Sequence, residues 1–264
     1  MNVDTLFSLR GKTALITGGS RGIGRMIAEG FIGAGATVYI CARKREVCDA
    51  TAAELSAHAD ANGRCRSLPA DITTVEGRAS LVAGLGEQTE QLDILVNNAG
   101  ANWGAAYEDY PVEGFQKVLD LNVSALFFLT RDLTPILEKS GQDSDPARVI
   151  NIGSMDGIIV PAILPLPTFA YSASKAAVHH LTRTLAVELA PRRITVNAVA
   201  PGYFESKMTR QVLKEHGSAI ERACPLGRIG QPDEMAGVAI YLASRAGAYT
   251  NGAVIPVDGG TGIC

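Results

Sequence analysis

The chain has 264 residues, 47% of them apolar, and a formal net charge of −3. That length fits one α/β domain over 1–264, and the near balance of charge excludes a basic footprint for nucleic acid or anionic membrane. No apolar run approaches the ~20 residues of a membrane span. The five cysteines, at 41, 48, 65, 224 and 264, form no C-x-x-C pair and no cluster with histidine, which argues against zinc, any other metal site or disulfides and for a reducing, cytoplasmic setting.

In chain order, an apolar strand is predicted at 12–17. It is followed by TGGSRGIG, in which Gly18, Gly22 and Gly24 surround Ser20, Arg21 and Ile23, and then by a helix over 23–34. Glycines there let the backbone turn sharply and bring an anion against the N–H groups that open the helix, where the helix dipole also favours negative charge. The setting between strand and helix points to a dinucleotide pyrophosphate, while the absence of Gly-Lys-Ser/Thr argues against nucleotide triphosphate hydrolysis. The next strand, 37–41, ends in Ala42, Arg43 and Lys44. A carboxylate at this point would hold a ribose diol and repel a 2′-phosphate; Arg43, with Arg21 nearby, instead favours NADP(H) over NAD(H).

A helix at 45–61, a strand at 64–69, a helix at 74–89 and a strand at 93–96 follow, the last leading into NNAG (97–100). A long helical pattern covers 111–138. Residues 140–147 read as a solvent-facing connection to a strand at 148–152, after which stands Ser154. The segment 157–168 carries Pro161, Pro165 and Pro167, a stiff loop incompatible with a helix. Further helices are predicted at 170–190 and 232–244, and strands at 195–199 and 253–257. This alternation predicts a doubly wound parallel sheet of about seven strands with helices on both faces and ligands at the strand C-termini.

The chemistry concentrates in YSASK, where Tyr171 and Lys175 are one helical turn apart and so share a face. A free phenol ionises near a pKa of about 10, and a neighbouring ammonium is expected to lower that value. Ser154 is expected to bond the substrate oxygen. Other residues have plainer readings: His179 and His180 as packing or interface residues, Trp103 and Tyr107 as pocket wall or filler, Met155 and Asp156 as substrate contacts or a turn cap, Glu108 and Asp109 as a solvated loop.

Taken together, TGGSRGIG, NNAG, Asn122 in DLNVS, Ser154, YSASK and the pair Pro201-Gly202 resemble, in content and order, the short-chain dehydrogenases/reductases, over essentially the whole chain. The resemblance implies a Rossmann-like fold and a catalytic tetrad of Asn122, Ser154, Tyr171 and Lys175. It further implies that Lys175 binds the nicotinamide ribose and that Asn122 holds a water connecting Lys175 to solvent. By the same resemblance Asp71 and Ile72 of PADIT meet the adenine, Asn98, Ala99 and Gly100 line the cofactor, and Phe204 and Ser206 flank the nicotinamide amide beyond Pro201 and Gly202. The strings NWGAAYEDYPVEGFQKVLDLNV and GAYTNGAVIPVDGG are similar to the rhamnolipid-type 3-oxoacyl reductase branch. The stretch from Ser154 to Tyr171 is a few residues longer than the family's usual spacing. A homotetramer or homodimer is implied, built on 111–138, 170–190 and the C-terminal segment. Three functions stay open: an NADPH-dependent reductase of a 3-oxoacyl thioester or related ketone, a dehydrogenase for a polyol, steroid or secondary metabolite, and a non-catalytic NADP(H)-binding regulator.

Overall fold

The computed structural model describes residues 2–57, 64–160 and 166–263. Its strands are β1 (Thr13–Thr17), β2 (Thr37–Cys41), β3 (Arg64–Ser67), β4 (Ile94–Asn97), β5 (Ala147–Ile152), β6 (Ile194–Pro201) and β7 (Val254–Val257). They form one parallel sheet in the order β3-β2-β1-β4-β5-β6-β7. β5 and β6 are buried at every position, so their apolar residues do not alternate with exposed polar ones, and the polar Arg148, Asn151 and Asn197 within them are buried and hydrogen-bonded.

The helices are α1 (Val3–Leu6), α2 (Gly22–Gly33), α3 (Arg45–Ala57), α4 (Val75–Gly86), α5 (Val112–Leu119), α6 (Leu126–Ser140), α7 (Phe169–Leu189), α8 (Arg210–Ala223) and α9 (Pro232–Ala243). Strand periodicity divides the core in two. Ile16 joins Val38, Val96 and Ile150 beneath Phe31 of α2 and Met235 and Leu242 of α9. Its neighbour Leu15 points the other way, with Leu95, Val149 and Val196, against Leu85 of α4, Leu129 and Leu133 of α6 and Leu185 of α7. β2 and β3 lie on one side of β1 and β4 on the other, so the strand order reverses between the C-terminal ends of β1 and β4. A crevice opens at such a reversal.

The sequence pattern at 111–138 does not distinguish one helix from two. Here α5 passes into α6 through a π-helical turn, Asp120–Ala125. The wider turn preserves the overall apolar face, so hydrophobic spacing carries no sign of it. α8 was not anticipated either: it is rich in charged and polar residues, and of its residues only Ile220 is buried. The end of the helix expected at 45–61, together with Pro161, Pro165 and Cys264, lies outside the described residues. Cys41, Cys48, Cys65 and Cys224 are free thiols, all buried. Among the described residues no helix is long and apolar enough to cross a membrane, and no group of three His, Cys, Asp or Glu side chains is placed to hold a metal.

Candidate active site

The crevice is a cleft of about 710 Å³. Its floor is the turn between β1 and α2. Gly18 sits at φ +65°, in the left-handed region that favours glycine, and a Cβ there would come within 2.8 Å of the Asn98 amide nitrogen. That amide donates to the carbonyls of Thr17 (2.9 Å) and Gly18 (3.2 Å), while the Thr17 hydroxyl accepts from the N–H groups of Asn98 and Ala99 (both 3.0 Å). The glycine turn and the NNAG loop are thus clamped together across β1 and β4. Asn97 points the other way, into the core, where it donates to Thr130 and Asn151.

Gly18, Ser20, Arg21, Gly22 and Ile23 line the cleft, but Gly24 does not. A Cβ at Gly24 would strike the Gly18 carbonyl and the Asn98 amide. Contrary to its expected role in contacting a ligand, Gly24 keeps the turn closed from behind. Arg21, the residue before α2, makes no side-chain capping bond to the helix. The N-cap side chain thus offers the first-turn N–H groups no acceptor, a setting suited to phosphate.

At the outer end the exposed guanidinium groups of Arg21 and Arg43 border the same cleft, beside Asp71 and Ile72. Burial raises the Asp71 pKa, but the Thr73 hydroxyl and N–H (2.7 and 3.0 Å) and the charge of Arg43 outweigh it, and the carboxyl is held below its ordinary range.

The inner end brings together Ser154, Tyr171 and Lys175, with Ala99, Gly100, Pro201, Gly202, Phe204 and Ser206 around them. Phe204 is 2% exposed and packs on Gly230, where a Cβ would collide with its ring. Lys175 is 5% exposed; its Nζ donates to the carbonyl of Ile152 at 2.7 Å and lies 5.4 Å from the centre of the Tyr171 ring. Burial pushes the Lys175 ammonium down to about 8, against the opposing pull of Asp156.

The expected acidification of Tyr171 by Lys175 is not what the structure has. Burial pushes the phenol above its ordinary value, the charge of Asp156 adds to this, and a hydrogen bond with Ser154 opposes it. The helical spacing correctly brings the two side chains alongside each other, but the ammonium is directed at the end of β5 and the phenol is desolvated. In this state Tyr171 is a neutral donor.

Asn122 does not line the cleft. The π-helical turn aims it at the loop beyond Gly100: its Oδ1 accepts from Ala101 N (2.9 Å) and its Nδ2 donates to Ala101 O (3.0 Å) and to Ser174 Oγ (2.9 Å). Ser174 in turn donates to the Tyr171 carbonyl at 2.7 Å. The second serine of YSASK, Ser174, therefore joins α7 to Asn122, a link whose signal was present three residues after Tyr171. Lys117 and Lys207 also reach the cleft, brought there by tertiary folding from segments whose local pattern gave no sign of it. Trp103 lines the mouth, packed on Gly114 with Lys117 Nζ 5.7 Å from its ring. His179 is buried and its Nε2 accepts from Ser154 N at 3.4 Å, whereas His180 is exposed. Glu108 and Asp109 are solvated, as expected of a surface loop.

A parallel sheet with a clamped glycine turn at its reversal, and a Ser-Tyr-Lys group at the inner end of the same cleft, defines a dinucleotide-dependent oxidoreductase. A family model described as enoyl-(acyl carrier protein) reductase matches residues 18–262. The chain is 51% identical, over 96% of its length and 97% of the relative's, to the rhamnolipids biosynthesis 3-oxoacyl-[acyl-carrier-protein] reductase of Pseudomonas aeruginosa. It is 39% identical to the 2-dehydro-3-deoxy-D-gluconate 5-dehydrogenase of Bacillus subtilis, over 96% of each chain. Among solved structures it superposes on the Pseudomonas aeruginosa RhlG/NADP active-site complex with a TM-score of 0.92 and 50% identity, covering 100% of both chains. The protein belongs to the short-chain dehydrogenase/reductase family.

Proposed function

We propose that this protein is an NADP(H)-dependent carbonyl reductase whose substrate is a 3-oxoacyl thioester or a closely related ketone. The observation that carries the reading is the convergence of Tyr171, Ser154 and Lys175 on the cleft that the glycine turn and Arg43 also border. The similarity to a 3-oxoacyl reductase and to an NADP complex supports it.

On this reading the N-terminus of α2, with Gly18, Ser20, Gly22 and Ile23, receives the pyrophosphate, and Arg21 and Arg43 receive the 2′-phosphate. Asp71 and Ile72 border the adenine. Asn98, Ala99, Gly100, Pro201, Gly202, Phe204 and Ser206 wall the nicotinamide end, and Gly24 keeps the turn in shape. The bound nicotinamide supplies the hydride. Tyr171 keeps its proton on Oη, because the desolvation that raises its pKa favours the neutral phenol, and releases it to the substrate oxygen. Ser154 Oγ fixes that oxygen. Lys175, anchored on Ile152, provides a positive charge beside the phenol as it becomes anionic and a donor for the ribose. Asn122 holds the Ala99–Ala101 loop and the start of α7 in register.

Steady-state oxidation of NADPH with a series of 3-oxoacyl thioesters, simple ketones and oxidised polyols tests the assignment. Turnover on the thioesters is expected, and Tyr171→Phe is expected to lower it by about 100- to 10,000-fold while leaving NADPH affinity nearly intact. Activity confined to polyols or to sugar acids, the latter being the substrate class in the name of the Bacillus subtilis relative, would replace the acyl reading with the dehydrogenase one. Absence of turnover with every carbonyl, alongside tight NADPH binding, would leave only the regulator. The same reading places the protein in the cytoplasm as a homotetramer or homodimer. Exposed Phe127 on α6 and Val187 on α7 support association through those helices, and light scattering at micromolar concentration checks it.

A further inference from the structure

Ser154 has one proton and several claimants. It precedes a 3₁₀ turn, Met155–Gly157, and its Oγ accepts from Asp156 N at 3.2 Å. The same Oγ donates to Asp156 Oδ1 at 3.3 Å, and Ser154 borders the same end of the cleft as the Tyr171 phenol, whose pKa it lowers. A distance of 3.3 Å is long for a hydroxyl on a carboxylate, so the serine proton is only loosely committed. Which partner receives it depends on whether Asp156 is itself an acceptor or a donor.

We propose that Asp156 is a positioning residue for carbonyl reduction, which acts through Ser154 by setting the direction of the serine proton. As a neutral carboxylic acid Asp156 donates to Ser154 Oγ, and the serine proton is left for the substrate oxygen, which then meets two donors, Ser154 and Tyr171. As a carboxylate Asp156 accepts the serine proton. Ser154 then accepts from Tyr171, and both protons are turned away from the substrate. The inference rests on the carbonyl-reductase reading of this site.

The surroundings favour the neutral acid. Burial raises the Asp156 pKa, against the Ser154 hydrogen bond and the charge of Lys175. The groups coupled to it are Lys175 and Tyr171 from α7 and Tyr203 from the segment after β6, while His179, from the next turn of α7, lies beside Gly157. The pKa of each of the two tyrosines is raised in part by the Asp156 charge, and that of Lys175 is held up by it. His179 is kept neutral by burial and adds no charge to the cluster. A single carboxyl is therefore coupled to Tyr171, Lys175 and Tyr203 at the reacting end of the cleft.

The test is the pH dependence of kcat and kcat/KM for NADPH oxidation in the wild type, Asp156→Asn and Asp156→Ala. The wild type is expected to show two falling limbs as pH rises: a lower one from Asp156, above the ordinary carboxylate range and below the second, which belongs to Lys175 at about 8. Asp156→Asn, whose amide still donates to Ser154 but cannot ionise, is expected to keep kcat within about threefold below the lower limb and to lose that limb. Its upper limb should move to lower pH, because a negative charge has gone. Below the lower limb Asp156→Ala is expected to lose about tenfold or more in kcat, with KM for NADPH unchanged, and above that limb its kcat should approach that of the wild type. A role confined to the turn would leave the limbs where they are. Retention of the lower limb in Asp156→Asn, or wild-type kcat in Asp156→Ala, overturns the inference. A wild type inactive on all carbonyls instead overturns the reading beneath it.

Discussion

Lys175 Nζ donates to the carbonyl of Ile152, so a buried ammonium joins the last residue of β5 to the second turn of α7. This one contact sets the separation between the strand that delivers Ser154 and the helix that delivers Tyr171. It also accounts for the direction of the lysine, which serves the strand end first and the phenol by proximity.

Replacing Lys175 by Met separates function from stability. Turnover should fall by about 100-fold or more, since the positive charge beside Tyr171 is gone. Stability at pH 7 should change little. The folded chain holds this ammonium at about 8 against an ordinary 10.5, a burial cost of about 3 kcal/mol, and its removal offsets the cost of leaving the Ile152 carbonyl unpaired. The sign with pH follows. Between about 8 and 10.5 the unfolded wild type binds a proton that the folded chain has released, so wild-type stability rises with pH through that window. Urea denaturation at pH 7 and pH 10 should show the wild type gaining on the Met variant. A variant far less stable at pH 7, or a gap that ignores pH, contradicts this account.

Arg43→Asp should move the cofactor preference. The exposed guanidinium borders the cleft at the end of β2, and a carboxylate there can accept from a ribose diol but repels a 2′-phosphate. Loss of a charge-assisted bond is worth about 1.5–3 kcal/mol, or about 10- to 100-fold in affinity for NADPH. KM for NADPH should rise by that factor and KM for NADH should fall. An unchanged ratio of the two would show that Arg43 is only a solvated surface charge.

The sheet and the residues of the cleft were legible because their signals are local. Parallel strands buried on both faces read as apolar runs, and the glycine turn, NNAG and YSASK each carry their chemistry in a few neighbouring positions. What could not be read is set by tertiary geometry. Asn122 was identified, but the π-helical turn that aims it at Ala101 leaves hydrophobic spacing undisturbed. Asp156 read as a substrate contact or a cap, because its coupling to Tyr171, Lys175 and Tyr203 arises only when β5, α7 and the segment after β6 meet. The tyrosine pKa went the other way from expectation for the same reason: spacing places the lysine nearby, but burial is a property of the folded whole.

Gly24→Ala tests the clamp behind the glycine turn. The added methyl meets the Gly18 carbonyl and the Asn98 amide, so either the turn shifts or the link between β1 and β4 opens. Overpacking of this kind costs about 1–3 kcal/mol, and NADPH affinity measured by fluorescence titration should fall by tenfold or more. Gly33→Ala, on the same helix with open space around the new methyl, is the control and should bind NADPH as the wild type does. Equal affinities in the two variants would show that the turn tolerates a displaced backbone.

His179 gives the protein an acid sensitivity that is separate from its catalytic groups. Its ring lies against Gly153 and Gly157, and burial pushes its pKa down to about 4, with the charges of Lys175 and Arg183 adding to the effect and a backbone hydrogen bond with Gly157 opposing it. The unfolded chain takes up this proton as pH falls through about 6.5, whereas the folded chain refuses it until about 4. The stability that His179 contributes is therefore complete above 6.5 and is lost as pH falls towards 4. Other carboxylates also titrate in that range, so the comparison must be with His179→Gln. The variant loses the packed ring and should be the less stable at pH 7.5, but its Tm should fall less steeply on acidification, and the two curves should converge towards pH 4. Parallel curves would mean that the imidazole takes up its proton at the same pH in the folded and unfolded chain, and would contradict this account.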